Sequence, residues 1–380
     1  MGFGSLFMDT SSEWIHSLLP LFMVDVLGAS MVTVGLLEGL AEGTASIVKV
    51  FSGALSDRLG RRKALMVTGY GLAALTKPIF PLAGSVGWVF AARFVDRVGK
   101  GIRGAPRDAL VAELAASDAR GAAYGLRQAL DSVGAVLGPL LAFGLLAWLA
   151  DDLRMAMWFA VVPALLSVAV LVRFVHEPPT RPGPGRVPLR LAELRSLPPR
   201  FWAVVVLGAV FSLARFSEAF LLLRAQDVGV ALGWVPLVMV WMNVLYAVAA
   251  WPAGILADRL PPGGLLLGGL GLLVAADLAL AAASSPGLVL VGAALWGLHL
   301  AFTQGLLSKL VADATPEGLR GTGFGVYHLF SGVALVAASS LAGGLWSSWG
   351  PEATFLVGAG FAGLAALALV VVPAGRGSTA

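Results

Sequence analysis

The stretch 93–108 carries the residues of this chain that are best suited to charge chemistry. Its charged side chains recur every three or four residues, so on a helix they would form one stripe. Arginine and lysine side chains can bind anionic groups or pair with carboxylates, which is useful chemistry only where water does not screen it. The stripe consists of Arg93, Asp96, Arg97, Lys100, Arg103 and Arg107.

The composition indicates that this stripe does not face water. Hydrophobic residues make up 58% of the 380 residues, charged residues make up 13%, and the mean hydropathy is +0.86. Such values are typical of a protein that crosses a membrane many times. An ionised group at the bilayer centre costs roughly 2.5–3.5 kcal/mol on insertion scales, so embedded charges normally face the protein interior and find partners. We therefore expect the stripe to be buried and functional.

Acidic residues in neighbouring apolar segments are candidate partners for the stripe. Glu38 and Glu42 lie four residues apart, and Glu13 shares a helix face with His16. A carboxylate that is desolvated beside a cation can act as a proton relay, although structural ion pairing is the alternative role for each group. The embedded acids Glu13, Glu38, Glu42, Asp96 and Asp131 roughly balance the bases Lys49, Arg93, Arg97, Lys100 and Arg127.

The apolar segments that must position these charges number twelve, which fits the length of the chain at about 20 residues for each span. The sequence predicts an all-α membrane protein with twelve transmembrane helices in two bundles, 1–176 and 201–380, joined by a cytoplasmic linker at 177–200. The segments are approximately 10–28, 32–55, 64–84, 87–104, 121–148, 155–175, 201–222, 233–257, 264–283, 287–308, 321–346 and 352–373.

The positive charges of the connections predict the orientation. Arginine and lysine concentrate in the connections after the second, fourth and sixth segments, and Arg154 and Arg224 are the exceptions on the other side. Cytoplasmic loops carry such an excess, so both termini are expected in the cytoplasm of a cell membrane. The first apolar run lacks a basic leader and contains Glu13, so it is expected to be a retained span.

The two halves of the chain repeat each other. Gly53, Asp57 and Arg58 recur 201 residues later as Gly254, Asp258 and Arg259, and Asp25 has a similar counterpart in Asp227. Matches at one offset indicate duplication. Parallel repeats of six spans predict a substrate site near the middle of the membrane, exposed to each side in turn.

The connection after the second segment carries a recognisable motif, GALSDRLGRRK. It resembles the signature G-x-x-x-D-R-x-G-R-R/K of the major facilitator superfamily at the same place in the span pattern. The resemblance implies two bundles of six helices and a loop that controls gating. The residues that match the signature are Gly53, Asp57, Arg58, Gly60, Arg61 and Arg62.

The fourth segment also resembles the family. Arg97, Lys100 and Gly101 fit the pattern R-x-x-Q-G, with lysine in place of glutamine. The resemblance implies a role for Arg97 in proton coupling or substrate contact, and Lys100 and Arg93 are departures from the pattern. The candidates for coupling or substrate contact are Glu13, His16, Glu38, Glu42, Arg93, Asp96, Arg97, Lys100, Arg127 and Asp131.

The fifth segment matches the motif G-x8-G-x3-G-P that the family's antiporters and exporters tend to carry. Ala142 and Phe143 depart from its usual end. Small residues permit close helix crossing and proline bends a helix, so packing alone is the other explanation. The matching residues are Gly125, Gly134, Gly138 and Pro139.

The second half carries few charges. Arg215 and Glu218 lie three residues apart and are expected to pair, and several aromatic and amide residues could line an amphipathic pocket or anchor the helices. The pocket candidates are Arg215, Glu218, Trp241, Asn243, Tyr246, His299, Gln304, Tyr327 and His328.

These patterns favour a secondary active transporter that exports a small molecule in exchange for protons. The chain has no nucleotide-binding G-x-x-x-x-G-K-[ST] loop, which argues against a self-contained ATP-driven pump. It has no cysteine and no H-E-x-x-H or G-x-S-x-G spacing, and the duplicated bundles favour transport, so an intramembrane enzyme or a non-transporting receptor is the less favoured class. We expect a monomer in the bilayer, with no cofactor and no nucleic acid. Two alternatives remain: an anion transporter using Arg93, Arg97 and Lys100, or a divalent-metal exporter using Glu13, His16, Asp25, Glu38 and Glu42.

Overall fold

The computed structural model describes residues 1–59, 61–114, 120–177, 194, 196–316 and 319–371, and these fold into helices. The first half contains α1 (Gly2–Leu21), α2 (Met31–Leu59), α3 (Arg62–Thr76), α4 (Ile79–Leu82), α5 (Val86–Leu114), α6 (Arg120–Trp148), α7 (Leu153–Phe159) and α8 (Val161–Phe174). The second half contains α9 (Pro199–Ala214), α10 (Ala219–Asp227), α11 (Pro236–Arg259), α12 (Pro262–Ala281), α13 (Pro286–Ala314), α14 (Arg320–Trp349) and α15 (Pro351–Val371).

Nine segments in the described part of the chain are long and apolar enough to cross a membrane. Three of them are interrupted helices, because α3 continues into α4, α7 into α8 and α9 into α10. A shorter apolar stretch, Pro351–Leu367, lies in α15. The other two segments, α1 and α5, are the helices that carry most of the embedded charges. The nine long segments, α15, α1 and α5 together give the twelve helical segments that the sequence predicted for an all-α membrane protein.

Several predicted boundaries are wrong. The first helix begins at Gly2 rather than near residue 10, since Ser5 and the other polar residues of its first turns face the protein interior. The fourth segment continues as α5 to Leu114, because its charged stripe also faces other helices. The seventh segment is not continuous: the chain leaves the helix between Ala214 and Ala219.

The two halves meet along α2 with α14 and along α6 with α11. On α2, Gly35, Gly39 and Gly43 present one small-residue face, and a Cβ built on Gly39 would lie 3.0 Å from the Val336 Cα on α14. Glycines at this spacing allow helix backbones to approach closely. The halves are therefore in direct backbone contact along the first part of α2.

The contacts between the halves lie toward one end of the bundle, which we call the closed face. Here α1 ends and α2 begins. Gln226 Nε2 donates to Asp25 Oδ2 at 2.6 Å, and the rings of Phe143 and Trp234 meet edge to face at 5.2 Å. At the opposite end, the open face, where α1 begins and α2 ends, the hydrogen bonds and ring contacts found between described residues do not join the halves.

Two arginines at the closed face satisfy the ends of helices. Arg154 donates to the carbonyl oxygens of Pro81 (2.6 Å) and Ala83 (2.9 Å), and Arg224 donates to those of Leu280 (3.0 Å) and Ala283 (2.9 Å). The last carbonyl groups of a helix lack partners within the helix, and a cation there is favourable. This role explains why the two exceptions to the charge asymmetry occur where they do.

Candidate transport cavity and charge network

A cavity of about 460 Å³ lies between the two halves. Its lining positions lie in the middle of the helices, such as Glu42 on α2 and Lys100 on α5, and toward the open face, such as Asp9 on α1 and Lys49 on α2. The second half contributes neutral polar groups: Asn243, Tyr246, Gln304 and His328. The charged lining residues all come from the first half: Asp9, Glu13, Glu42, Lys49, Lys100, Arg103, Arg107 and Asp131.

The stripe on α5 pairs with the acids of α2, one helical turn after another. Arg93 donates to Glu38 Oε2 at 2.9 Å, and both residues are at most 2% exposed. One turn along, Arg97 donates to Glu42 Oε1, also at 2.9 Å, and Glu42 reaches the cavity. The two predicted glutamates thus neutralise the two arginines. Their proposed part in coupling remains a prediction.

A second contact set on the other side of α5 involves Lys77, which the sequence reasoning missed. Lys77 lies at the end of α3 and is 1% exposed. Its ammonium group donates to Asp96 Oδ1 at 2.9 Å and to the Ser12 hydroxyl at 3.1 Å. Asp96 Oδ2 is also 3.2 Å from the Arg97 Nε. A lone lysine inside a predicted span is itself a signal, because such a charge needs a buried partner.

His16 on α1 lies between two carboxylates. Its Nδ1 is 3.5 Å from Glu13 Oε2, and its Nε2 is 3.7 Å from Glu38 Oε2. Glu13 lines the cavity, whereas Glu38 is buried. A protonated imidazole donates from both ring nitrogens and a neutral one from a single nitrogen. His16 therefore lies between the cavity wall and the buried Arg93–Glu38 pair.

A further cluster lies nearer the open face. Arg103 is 3.5 Å from Asp9 and stacks over the Tyr70 ring at 4.4 Å. Arg127 donates to Asp131 Oδ2 at 2.8 Å, which forms the pair expected from their spacing. Asp131 also lies 3.8 Å from Arg107, so this cluster connects α6 with α5. Asp9, whose position precedes the predicted first segment, was not among the sequence candidates.

The cavity lining carries as many acids as bases, namely Asp9, Glu13, Glu42 and Asp131 with Lys49, Lys100, Arg103 and Arg107, but not every base forms an ion pair. Asp96 is taken by Lys77, and the described residues provide Lys49 and Lys100 with no ion pair. Both lysines are exposed to the cavity. The sequence count of embedded charges left out one acid, Asp9, and three bases, Lys77, Arg103 and Arg107.

The second-half pocket is smaller than predicted. Arg215 and Glu218 do not form the expected ion pair, because they occupy the break between α9 and α10, where the register of a continuous helix is lost. The described part of the chain gives neither an ion-pair partner within 4.0 Å.

Three other pocket candidates also lie away from the cavity. Trp241 donates to a backbone carbonyl of α13 at 3.1 Å, and His299 Nδ1 is 2.7 Å from the Gly269 carbonyl oxygen. Tyr327 packs against α9 at Gly208. Contacts between helices explain all three side chains.

The glycines of the fifth segment pack α6 against α1. A Cβ built on Gly138 would lie 2.5 Å from the Thr10 carbonyl oxygen, and one on Gly134 would lie 2.8 Å from that of Leu6. Pro139 follows in the same buried face. These residues therefore set the distance between the cavity wall on α6 and the helix that carries Glu13. Gly125 lies outside the residues whose surroundings are described.

The loop motif that the sequence predicts to control gating is described only in part. Arg61 is the exposed residue before α3, and the backbone N–H groups of Arg62 and Lys63 donate to the two oxygens of Glu177 at 2.5 and 3.2 Å. A carboxylate at a helix N-terminus satisfies free N–H groups and complements the helix dipole. The start of the linker is thus fastened to this loop. Gly60 lies outside the described residues, and for Gly53, Asp57 and Arg58 the structure describes only their place in α2.

The described residues include no group of three or more His, Asp or Glu close enough to hold a metal ion. The divalent-metal alternative therefore gains no site from the part of the chain that is described.

A helical membrane protein whose two halves pack together and enclose a cavity has the architecture of a secondary transporter. The family model of the Major Facilitator Superfamily matches residues 1–234 and 219–379. An MFS-type transporter of Methanocaldococcus jannaschii, described as uncharacterised, is 32% identical over 98% of this chain and 94% of that protein. The chain belongs to the Major Facilitator Superfamily, and it is a multi-pass membrane transporter of small molecules rather than an enzyme.

Two further similarities add detail. The multidrug resistance protein MdtH of Yersinia enterocolitica is 30% identical over 51% of this chain and 47% of that protein. A point mutant of the nucleoside transporter NupG superposes with a TM-score of 0.82 at 12% identity, covering 97% of this chain and 98% of that chain. The second similarity shows the fold alone.

Proposed function

We propose that this protein is a proton-driven antiporter that exports a small molecule from the cytoplasm. The open face is the cytoplasmic face in this proposal, because the arginine-rich connections lie there. The substrate enters the cavity from that side. The two bundles, 1–176 and 201–380, then rock about the α2–α14 and α6–α11 contacts, and the protein acts as a monomer in the cell membrane.

The observation that carries the proposal is the position of His16 between Glu13 and Glu38. The His16 imidazole lies between the Glu13 carboxylate, which lines the cavity, and the Arg93–Glu38 ion pair, which holds α5 to α2. A proton taken up here changes the charge of the cavity wall and the contacts among α1, α2 and α5 together. Substrate and proton can therefore favour different states of the same network, which is what exchange requires.

Two features support export rather than uptake. The close packing of α1 on α6 at Gly134 and Gly138 follows the motif that is common in the family's antiporters. MdtH, a relative over about half of the chain, carries the name of a multidrug resistance protein.

The experiment uses inverted membrane vesicles from cells with and without the protein. Respiration acidifies the vesicle interior and quenches an acridine dye, and a panel of anionic, cationic and neutral toxic compounds is then added. We expect at least one compound to restore the fluorescence only when the protein is present, because its uptake into the vesicle releases protons.

A matched control separates coupling from simple leakage. Arg173→Gln removes an arginine that is exposed next to Phe174 on α8 and should keep the response. The proposal is wrong if the same compounds cross protein-containing vesicles at a rate that does not change when the pH gradient is collapsed.

A further inference from the structure

Every acid that lines the cavity already has a basic partner. The nitrogen–oxygen distances lie between 2.8 and 3.5 Å. Each acid of the cavity wall therefore faces a base of the protein itself, and for Glu13 that base is charged only when His16 is protonated. The pairs are Asp9 with Arg103, Glu13 with His16, Glu42 with Arg97 and Asp131 with Arg127.

Two lysines of the same wall have no such partner. In the described parts of the chain, no carboxylate oxygen lies within 4.0 Å of the ammonium nitrogen of Lys49 or Lys100. Both side chains are exposed to the cavity. Lys77 provides the contrast, since it is buried and bound to Asp96. Among the described residues, these two ammonium groups therefore lie at the cavity surface without a salt bridge.

The two lysines lie next to each other on adjacent helices. A Cβ built on Gly104 of α5 would lie 3.6 Å from the Lys49 Cε, so the stem of Lys49 crosses α5 at that glycine. Gly104 is four residues after Lys100, which places both on one helix face about 5–6 Å apart at Cβ. Gly104 has no side chain, which leaves room for the stem of Lys49 on the side of α5 that also carries Lys100.

The facing wall of the cavity provides hydrogen-bonding groups without charge. Asn243, Tyr246, Gln304 and His328 come from the second half, and the Tyr246 hydroxyl donates to Gln304 Oε1 at 3.3 Å. Such groups can orient the polar, uncharged part of a ligand. A volume of about 460 Å³ is within the usual range for a small-molecule site.

We propose that Lys49 and Lys100 form the binding site for the acidic group of an organic anion, a carboxylate or a phosphate on a compact polar body. This inference rests on the proposed transport function and names the substrate class of the same cavity. Arg93 and Arg97, which the sequence offered as anion ligands, are engaged by Glu38 and Glu42. Lys49 and Lys100, which line the cavity without a salt bridge among the described residues, take that role instead.

The test is equilibrium binding to the purified full chain in nanodiscs, followed by fluorescence polarisation. The probes are carboxyfluorescein and a cationic rhodamine ester, which share a ring system and differ in charge. Phenyl phosphate and benzoate compete for the site, with benzamide as the neutral counterpart. We expect the anionic probe to bind more tightly than the rhodamine and to be displaced by the two anions but not by benzamide.

The variants locate the site. Lys49→Gln and Lys100→Gln should each raise the Kd of carboxyfluorescein about 10-fold or more, since each removes a charged hydrogen-bond donor. Lys49→Arg keeps the charge and should retain most of the affinity. Lys63→Gln is the matched control, because Lys63 lies outside the cavity and donates to the Val172 carbonyl oxygen.

Three results would overturn the assignment: tighter binding of the cationic probe, no binding of any anion in the set, or a double glutamine variant whose anion affinity stays within about twofold of wild type. Size-exclusion profiles show whether each variant is folded. Binding at equilibrium needs no gradient, so these results leave proton exchange untouched, and a failure of proton exchange leaves the binding result standing.

Discussion

The ion pair between Arg93 and Glu38 offers the sharpest test of the buried network. The Arg93 Nη2 lies 2.9 Å from Glu38 Oε2, and the side chains are 2% and 1% exposed. Three variants probe it: Glu38→Gln, Arg93→Gln and the double variant. Removing one partner of a buried pair leaves an uncompensated charge and costs about 3–5 kcal/mol.

The structure predicts that the two single variants lose different amounts of unfolding free energy. Without Glu38, the Arg93 guanidinium has no other carboxylate within 4.0 Å among the described residues. Without Arg93, Glu38 still has His16 at 3.7 Å, and the imidazole can become protonated. We therefore expect Glu38→Gln to fall near the upper end of the range, about 5 kcal/mol, and Arg93→Gln near the lower end, about 3 kcal/mol. The double variant should lose less than Glu38→Gln alone, because it leaves no charge behind.

The assay is unfolding in mixed micelles by increasing denaturing detergent, followed by tryptophan fluorescence. Glu352→Gln is the matched control: Glu352 is 3.3 Å from Arg224 but 55% exposed, so its loss should cost less than about 1 kcal/mol. The reasoning fails if both single variants stay within about 1 kcal/mol of wild type, or if the loss in the double variant is the sum of the two.

Three other substitutions test the packing. Gly138→Val should abolish exchange and cost about 1–3 kcal/mol, since its side chain would meet the Thr10 backbone; normal exchange in liposomes would exclude this. Gly39→Leu should destabilise the closed face by a similar amount and shift the ratio of molecules with that face open to molecules with it closed about 5- to 150-fold. Spin labels on α2 and α14, introduced through cysteines into the cysteine-free chain, measure this as a change in distance, and an unchanged distance distribution would refute it. Glu177→Gln should destabilise the N-terminus of α3 by about 0.5–2 kcal/mol, because it weakens the cap on the Arg62 and Lys63 N–H groups. The loss should appear as faster amide hydrogen exchange in the first turn of α3, and unaltered protection would argue against the cap.

Part of the site could be predicted because helical spacing repeats in two helices. Glu38 and Glu42 are one turn apart, as are Arg93 and Arg97, and α2 packs against α5. A single alignment of the helices therefore brings both pairs together, each with a sequence separation of 55. The number of spans followed in the same way from apolar length, which depends on the thickness of the bilayer and not on tertiary contacts.

The rest depends on contacts that spacing does not determine. Lys77 reaches Asp96 because α3 ends where it meets α5, and this takes away the carboxylate that the sequence had assigned to the other bases. The break between α9 and α10 places Arg215 and Glu218 out of helical register, and local pattern does not reveal it. Whether a charge is paired is decided by all the helices that surround it.

The central claim is that protons drive export through the charge network of the first half. The direct measurement is proton movement together with substrate flux in liposomes, with an internal pH indicator and a substrate found in the vesicle screen. We predict proton uptake and substrate release in fixed proportion for wild type and for Arg173→Gln, and substrate flux without proton movement for Arg97→Gln. Proton movement that keeps its wild-type proportion in Arg97→Gln, and in variants with glutamine at Glu38 and Glu42, would show that the network is structural and would contradict the account.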